Sequence, residues 1–319
     1  MKKYTLLITL PLLCLSNAFA GFSWEDEEGK HKTLYHNSRL VARYMYETID
    51  ESTPERREET YKPFYHIYDF DSSKSFITKG AGGKFTHHRG IYYGFSRCSY
   101  TDAEGEEQKN IDTWHCRKAH QIHTEFLEEK GNDDSAMLST KIDWIGDDQK
   151  PFASEVRTLT FSFDGKDLLV DFKSTLTPLV PKVKLDGDPQ HAGFQFRASN
   201  EVAEKTAKQT YYIRPESGKA PEGKTINWDK KNDSEATRDL PWKGMSIIVS
   251  GKRYTVAYLD DKGNPKPARF SERDYGRFGS YFVKDLTPKK PLTVNYRLVI
   301  RKGEMSADEI SGMSDDFAP

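Results

Sequence analysis

The segment RTLTFSFDGKDLLVDFKSTLTP, residues 157–178, decides the fold class. Leu159, Phe161 and Phe163 alternate with threonine and serine, which is the period-two pattern of a half-buried β-strand. Asp164 and Gly165 follow, a dipeptide that favours a tight hairpin turn because both residues tolerate positive φ. The stretch LLVDFKSTL then runs back as a second strand. The segment therefore predicts an antiparallel β-hairpin.

Similar alternating segments recur on both sides of this hairpin, separated by turn signals. They read KPFYHIYDF, GIYYGFSRC, AHQIHTEFL, AGFQFRAS, TYYIRP, KGMSIIVSGKRYTVAYLDD and LTVNYRLVIRKG. Strands at this spacing without intervening helices predict an all-β fold, a large antiparallel β-sandwich over residues 61–305. Residues 21–60 form a highly charged N-terminal segment with one moderately helical patch, SRLVARYMYETI. Residues 306–319 form a short tail, in which Ser306 caps a short helix.

The chain begins MKKYTLLITLPLLCLSNAFA, residues 1–20, which has the layout of a cleavable secretory signal peptide. We expect the mature chain to begin near Gly21 and to be periplasmic or secreted. The apolar stretch from Leu6 to Leu15 is shorter than the roughly 20 residues of a membrane-spanning helix. We therefore expect no membrane insertion after signal cleavage.

Loss of Lys2 and Lys3 with the signal leaves 46 basic and 49 acidic residues, a net charge of −3. That balance gives no electrostatic case for binding nucleic acid. Cys98 and Cys116 remain, and an oxidising compartment favours a disulfide between them, worth about 3 kcal/mol through loop closure. Two independent buried thiols are the alternative. The oligomeric state stays open.

The segment FTHHRGIYYGF, residues 85–95, is the first candidate for a site. The stretch GAGG at 80–83 and Gly90 mark its start as a loop and allow a backbone to approach a ligand closely. One imidazole of His87 and His88 can face a cavity while the other packs inward, and Arg89 offers a planar set of donors. Structural bracing of the loop is the alternative to a functional site.

A metal site is the less favoured interpretation of this segment. Neighbouring residues of an extended chain point to opposite faces, so His87 and His88 cannot easily share one ion. The chain has no HExxH and no paired CxxC pattern. We therefore expect no bound metal and no other cofactor.

Five further segments join a charged or amide group to an aromatic residue or a glycine. They are NIDTWHC (110–116), SEVRTLTF (154–161), DPQHAGFQFR (188–197), LPWKGM (240–245) and GNPKPARFSERDYGRFGSYF (263–282). Aromatic faces against C–H surfaces, with charged groups against hydroxyls, are typical of a sugar site. We therefore expect a sugar or glycan as the ligand.

In this order the segments resemble the PmoA-like family of secreted bacterial proteins, a family of unknown function labelled methane oxygenase, over about residues 60–305. HHRG and the NP…R-x-YG segment carry most of the resemblance. Residues 84–86 read KFT where that family usually has Asp-His-Pro. The resemblance implies an all-β sandwich with one shared polar site, and no methane chemistry. The pattern is also similar to that of galactose-mutarotase-like supersandwiches, which would be the finer fold class.

The resemblance also implies a set of site residues. The family does not establish their individual roles. We expect His87, His88, Asp112 and Glu155 to be catalytic. We expect the substrate to be bound by Arg89, Trp114, Arg157, His191, Arg197, Asn264, Arg273 and Tyr275.

The first functional hypothesis is a periplasmic carbohydrate-active enzyme. In it His88 is the general acid or base, because the ordinary pKa of histidine lies close to the working pH. Glu155 or Asp112 would complete the proton transfer. A non-catalytic glycan-binding module and a metal-dependent oxidase are the two alternatives.

Overall fold

The computed structural model describes residues 20–71 and 75–318. The predicted signal peptide therefore lies outside the described residues, apart from Ala20. Within those residues the chain is built mostly from β-strands, with two α-helices. Neither of these helices is long and apolar enough to cross a bilayer.

The strands, in chain order, begin with β1 (Phe22–Glu27), β2 (His31–His36), β3 (Arg39–Met45), β4 (Phe64–Ile67), β5 (Ile91–Phe95), β6 (Cys98–Thr101), β7 (Glu107–Ile111), β8 (His120–Gly131), β9 (Ser135–Ile145) and β10 (Pro151–Asp164). They continue with β11 (Asp167–Pro178), β12 (Lys182–Leu185), β13 (Ala192–Arg197), β14 (Tyr211–Arg214), β15 (Gly218–Lys219), β16 (Trp242–Val249), β17 (Lys252–Asp260), β18 (Arg269–Arg273), β19 (Arg277–Tyr281), β20 (Lys284–Leu286) and β21 (Leu292–Lys302).

The helices are α1 (Pro54–Thr60) and α2 (Ala307–Phe317), with short 3-10 or π turns at Val202–Thr206, Ala207–Gln209 and Glu235–Thr237. Helix α2 begins as predicted. Ser306 accepts a hydrogen bond from the Glu309 amide, and the Glu309 carboxylate accepts one from the Ser306 amide. This capping box satisfies two amides that have no partner inside the helix.

The strands form three antiparallel sheets, which confirms the predicted sandwich. The first sheet has the order β1-β2-β3-β4-β5-β13-β19-β18, and the second has the order β15-β14-β16-β17-β21-β11-β10-β9-β8. A small third sheet has the order β20-β12-β6-β7. The two large sheets share one apolar core, in which Phe194 of the first stacks on Phe172 and Tyr296 of the second at 4.3 and 4.9 Å.

The predicted hairpin is confirmed as β10 and β11, paired from Ala153 with Pro178 to Asp164 with Asp167. Its turn contains Gly165 and Lys166, and Gly165 has the positive φ of +56° that favours glycine there. Leu159 and Phe161 point into the shared core, as the alternation predicts.

The expectation of a helical patch in SRLVARYMYETI is wrong, because residues 39–45 form β3. Tyr44 is fully buried and stacks on Tyr65 of β4 at 4.6 Å. This cross-strand contact outweighs the modest helical preference of the segment. Strand formation depends more on the packing of side chains than on local propensity. Strands β1–β3 thus extend the first sheet through the charged N-terminal segment.

The predicted disulfide is also wrong, since Cys98 and Cys116 are both free and buried. The Cys98 thiol donates to the Phe95 carbonyl at 3.8 Å, whereas the Cys116 thiol donates to the Tyr61 and Thr113 carbonyls at 3.7 and 3.6 Å. The two thiols therefore have different hydrogen-bond acceptors and are not bonded to each other. Burial raises the pKa of Cys116 to about 12, which keeps it in the unreactive thiol form.

Candidate functional site

The floor of the candidate site is the outer face of the first sheet. In β13, Phe194 and Phe196 point into the core, so Gln195 and Arg197 point to the opposite face. Gln195 pairs with Tyr92 of β5, and Arg197 pairs with Arg277 of β19. Loops cover this face, so Arg197 and Arg277 are almost completely buried although they lie outside the core.

The turn at residues 188–191 folds back over this floor. Its Pro189 carbonyl accepts hydrogen bonds from Arg277 Nη1 at 3.1 Å and from the Ser271 hydroxyl at 2.6 Å. Its Gln190 carbonyl accepts one from Arg197 Nη2 at 2.6 Å. Because these donors belong to three neighbouring strands, the sheet itself fixes the turn that carries His191.

The turn at residues 112–115 has the same local design as the turn at 188–191. Asp112 Oδ1 accepts from the Trp114 and His115 amides at 2.9 and 2.8 Å, and Asp112 Oδ2 contacts His115 Nδ1 at 2.8 Å. In the other turn Asp188 Oδ1 accepts from the Gln190 amide at 2.8 Å and contacts His191 Nδ1 at 3.1 Å. We call both segments Asp-x-x-His turns.

A third segment, the loop at residues 84–90, places His87 and His88. Gly90 is required there, because a Cβ at this position would lie 2.5 Å from the Tyr65 carbonyl oxygen. Arg89 is buried and donates to the Thr86 and His88 carbonyls at 2.6 and 2.7 Å, so it braces the loop. Lys62 Nζ donates to the His87 carbonyl at 2.9 Å and to the Trp114 carbonyl, which ties this loop to the first Asp-x-x-His turn.

These three segments bring His87, His115 and His191 together, and we call them the histidine cluster. The ring centroid distances are 4.4 Å between His87 and His115, 4.7 Å between His115 and His191, and 5.5 Å between His87 and His191. One nitrogen from each ring lies within 4.8 Å of the other two. The side chains of His115 and His191 are 20% and 24% exposed, so solvent reaches the cluster.

The hydrogen bonds define which ring nitrogens are free. A carboxylate only accepts hydrogen bonds, so Nδ1 of His115 and of His191 carries a proton, and Nε2 is the nitrogen that has no bond to the carboxylate. His87 Nε2 is buried and has no hydrogen-bond partner among the described residues. Among the described residues, the cluster therefore brings together several ring nitrogens that have no hydrogen bond to the protein.

The surroundings lower the pKa of two rings of the cluster, His87 and His191. Burial, together with the neighbouring His115, lowers the pKa of His87 to about 2. Burial also lowers the pKa of His191, although its bond to Asp188 opposes that shift. Burial works against Asp188 as well, but the bond from His191 holds the pKa of that carboxyl at about 2. A charged aspartate thus faces a neutral imidazole.

His88, the predicted general acid or base, lies under the cluster rather than in it. It is only 3% exposed, and its ring packs on His87 at 4.5 Å and on Phe85 at 5.2 Å. Burial and the nearby guanidinium of Arg197 lower the pKa of His88 far below its ordinary value. Such an imidazole does not exchange protons near pH 7.

Most of the residues expected to form a site do meet around this outer face. They are His87, His88, Arg89, Asp112, Trp114, His191, Arg197 and, at the edge, Arg273 and Tyr275. Trp114 is buried with its ring 5.1 Å from the Arg197 guanidinium and 6.3 Å from His191, so it supports the cluster from below. Tyr275 is partly exposed and lies 5.9 Å from His88.

Three of the expected residues are held elsewhere in private contacts. Glu155 and Arg157 of β10 form an ion pair that is completely buried, with Arg157 Nε 2.8 Å from Glu155 Oε1. Asn264 donates to Asp260 Oδ1 and to the Asn295 carbonyl at 2.6 Å each, which braces the loop after β17. The geometry therefore gives these three residues structural contacts rather than a place at the histidine cluster.

Sequence analysis passed over His115, Asp188 and Lys62. The repeated spacing Asp112 to His115 and Asp188 to His191 was a usable signal, because an aspartate three residues before a histidine can orient its ring in a turn. Lys62 carried no comparable signal, since its role depends on two carbonyls that come from distant segments.

A pocket of about 320 Å³ opens beside the cluster. Its lining includes Arg57, Glu58, Tyr61, Thr86, His87, His115 and Arg117. A larger depression of about 650 Å³ lies at the other end of the first sheet, near Tyr35 and Asp69. Its one buried carboxylate, Asp69, is already bonded to the Tyr254 hydroxyl at 2.7 Å, so we favour the smaller pocket.

Comparison with known families assigns the chain. Residues 32–315 match the family described as "Family of unknown function (DUF6807)", and the chain therefore belongs to that family. This match corrects the resemblance to the PmoA-like family, which is wrong as an assignment. No similar sequence is found among curated proteins.

Solved structures of similar shape include sugar-acting enzymes, all at low identity. The GH36 α-galactosidase AgaB from Geobacillus stearothermophilus is 8% identical with a TM-score of 0.43, over 91% of this chain and 42% of that one. A putative aldose 1-epimerase from Escherichia coli K12 is 10% identical with a TM-score of 0.35, over 76% and 95%. A GalM/aldose epimerase homologue from C. elegans is 7% identical with a TM-score of 0.34, over 90% and 100%. The chain thus spans less than half the length of the galactosidase.

Proposed function

We propose that this member of DUF6807 is an exported enzyme that acts on a sugar or glycan, with the histidine cluster as its reaction centre. One observation carries the proposal: free imidazole nitrogens from three distant segments converge at the edge of a pocket. Each of the two Asp-x-x-His turns holds its ring in one tautomer. An imidazole oriented by a carboxylate presents its other nitrogen in a fixed direction, towards a proton or a metal ion.

The features around the cluster suit a polyhydroxylated ligand. Phe85 and Tyr275 are partly exposed with ring centroids 4.5 Å apart, and both adjoin His88. Aromatic faces pack against the C–H face of a sugar ring, while Arg273 and the pocket residues Arg57 and Arg117 offer donors to hydroxyls. The volume of the pocket is at the lower end of the range for small-molecule sites, which suits a sugar unit.

His88 has a different role in this proposal from the one the sequence suggested. Because it is buried and neutral, we assign it to positioning: it packs on His87 from below and on Phe85 from the side. The reacting groups are the partly exposed rings of the cluster.

The proposal is tested by incubating the purified chain with a panel of sugars and oligosaccharides and detecting products by mass spectrometry. We expect His115→Ala and His191→Ala to lose turnover. His31→Ala is the matched control, because His31 is similarly exposed at 15% but lies in β2. Saturable binding with no product on long incubation would overturn catalysis in favour of a glycan-binding module, and neither binding nor turnover would overturn both.

Export is the second part of the proposal and rests on the signal-like residues 1–20. Expression of the full chain with its natural start, followed by cell fractionation, should recover the protein from the periplasm or the medium. Mass spectrometry should then give an N-terminus at Gly21. An intact Met1 on cytoplasmic protein would refute export and leave the proposed reaction centre unaffected.

A further inference from the structure

We propose that the histidine cluster binds one Zn²⁺ ion through His87, His115 and His191. The inference deepens the proposed function and rests on it, because the ion would be the reactive group at the same site. The metal binding itself can be tested without knowing the substrate.

The geometry of the cluster is close to that of a three-histidine zinc site. Each ring offers one nitrogen, and these atoms lie within 4.8 Å of one another. Zn–N bonds of about 2.0–2.1 Å in a tetrahedral site place the nitrogens roughly 3.3–3.4 Å apart. Ring movements on the order of 1 Å would close the difference. The partly exposed rings of His115 and His191 have the freedom to make such movements.

The two Asp-x-x-His turns supply the outer layer that zinc-binding histidines usually have. Asp112 and Asp188 accept from Nδ1 of their histidines at 2.8 and 3.1 Å, which leaves the opposite nitrogen free for the metal. The same design occurs twice, in turns from different parts of the chain. A structural role for one histidine would not require this repetition.

His87 provides an independent observation. Its Nε2 atom is buried and has no hydrogen-bond partner among the described residues, although buried polar atoms nearly always have one. A metal ion bound between the rings would supply the missing partner. Lys62 holds the His87 carbonyl at 2.9 Å and so fixes the backbone that presents this ring.

The donor set suits Zn²⁺ better than Ca²⁺ or Mg²⁺. Three imidazoles with no thiolate suit zinc, whereas Ca²⁺ and Mg²⁺ prefer oxygen ligands. A site with three protein ligands leaves a fourth position for water or a substrate hydroxyl, and the 320 Å³ pocket borders two of the three rings. The negative carboxylates of Asp112 and Asp188 offset the positive charge of the ion. The buried guanidinium of Arg197 acts in the opposite direction, because it repels a cation.

The test uses the full chain purified without a polyhistidine tag, stripped with a chelator and then titrated with ZnCl₂ alone. We expect one equivalent of zinc by calorimetry, the same ratio by elemental analysis after desalting, and a higher Tm with zinc. His115→Ala and His191→Ala should each weaken binding at least about 100-fold, and Asp188→Asn about 10- to 100-fold. His31→Ala should bind zinc as the unchanged chain does.

Circular dichroism of each variant shows whether it is folded. If an alanine variant does not fold, the zinc affinity of Asp188→Asn decides the test, because asparagine keeps the shape of the side chain. Less than a tenth of an equivalent of bound zinc after desalting would overturn the inference. So would a loss of zinc affinity in His31→Ala as large as that in His115→Ala or His191→Ala. Glycan turnover that continues after complete removal of zinc overturns the role of the ion as the reactive group, but not the proposed function. One bound zinc without any product from the sugar panel supports the metal and overturns the proposed reaction.

Discussion

Replacing Glu155 by glutamine separates a structural role for this residue from the catalytic role that the sequence suggested. The Glu155 carboxylate accepts from Arg157 Nε and Nη2 at 2.8 Å each, from the Ser174 hydroxyl at 2.8 Å and from Trp144 Nε1 at 2.9 Å. All four residues are buried. A glutamine keeps the shape but removes the charge, and it turns one acceptor into a donor that faces other donors.

The expected cost follows from that burial. Removing one partner of a buried ion pair leaves the other charge uncompensated, which typically lowers the free energy of unfolding by about 3–5 kcal/mol. Asp171→Asn is the matched control, since Asp171 pairs with Arg297 in side chains that are 39% and 24% exposed. An exposed pair of that kind contributes about 0–1 kcal/mol.

The free energy of unfolding of both variants is measured by urea denaturation at pH 7, monitored by tryptophan fluorescence. The double variant Glu155→Met, Arg157→Met should lose less stability than Glu155→Gln, because it removes both charges together. Zinc affinity should be unchanged in Glu155→Gln as long as the chain is folded. A loss of less than about 1 kcal/mol, combined with abolished glycan turnover, would refute the structural role and return Glu155 to the reaction centre.

Three further predictions concern stability and the thiols. Gly90→Ala should lower the free energy of unfolding by about 1–3 kcal/mol in a denaturant titration, since the added Cβ would meet the Tyr65 carbonyl at 2.5 Å, whereas the control Gly312→Ala, in α2, would meet no such atom. Burial lowers the pKa of His66 to about 3, so the unfolded chain takes up a proton that the folded chain refuses. Stability should therefore fall between pH 6.5 and 3 by up to about 1.4 kcal/mol per pH unit for this group, and His66→Leu should flatten the slope of urea midpoints against pH. In the chain that begins at Gly21, without Cys14, Ellman's reagent should find no reactive thiol in the folded protein and two after denaturation, and a thiol count of zero after denaturation would refute the free state of Cys98 and Cys116.

The sheets could be predicted from the sequence because their pattern is local. The alternation in residues 157–163 and the turn at Gly165 lie within one hairpin, and the structure contains that hairpin. The helical patch failed for the opposite reason, since β3 is stabilised by contacts of Tyr44 with a strand that comes later in the chain. Local preference was weak there, and tertiary packing decided.

The site could be predicted only in part. His87 and His88 point to different faces, as expected for neighbouring residues. His87 joins the cluster, and His88 lies beneath it. His191 was predicted for the same site as His87, but nothing in the sequence indicated that His115 would also lie beside His87. His191 lies beside His87 only because its turn folds back across β13. The donors that hold this turn, Arg197 and Arg277, are brought side by side by the pairing of β13 with β19.

That dependence on the sheet has a thermodynamic consequence. Because Arg197 and Arg277 hold the turn of His191 from two neighbouring strands, the cluster cannot exist in a short excised peptide or in the unfolded chain. An occupant of the cluster is thus a selective ligand of the native state. At a free concentration 100 times its Kd it would add about 2.7 kcal/mol to the free energy of unfolding, and dialysis against a chelator would withdraw that protection.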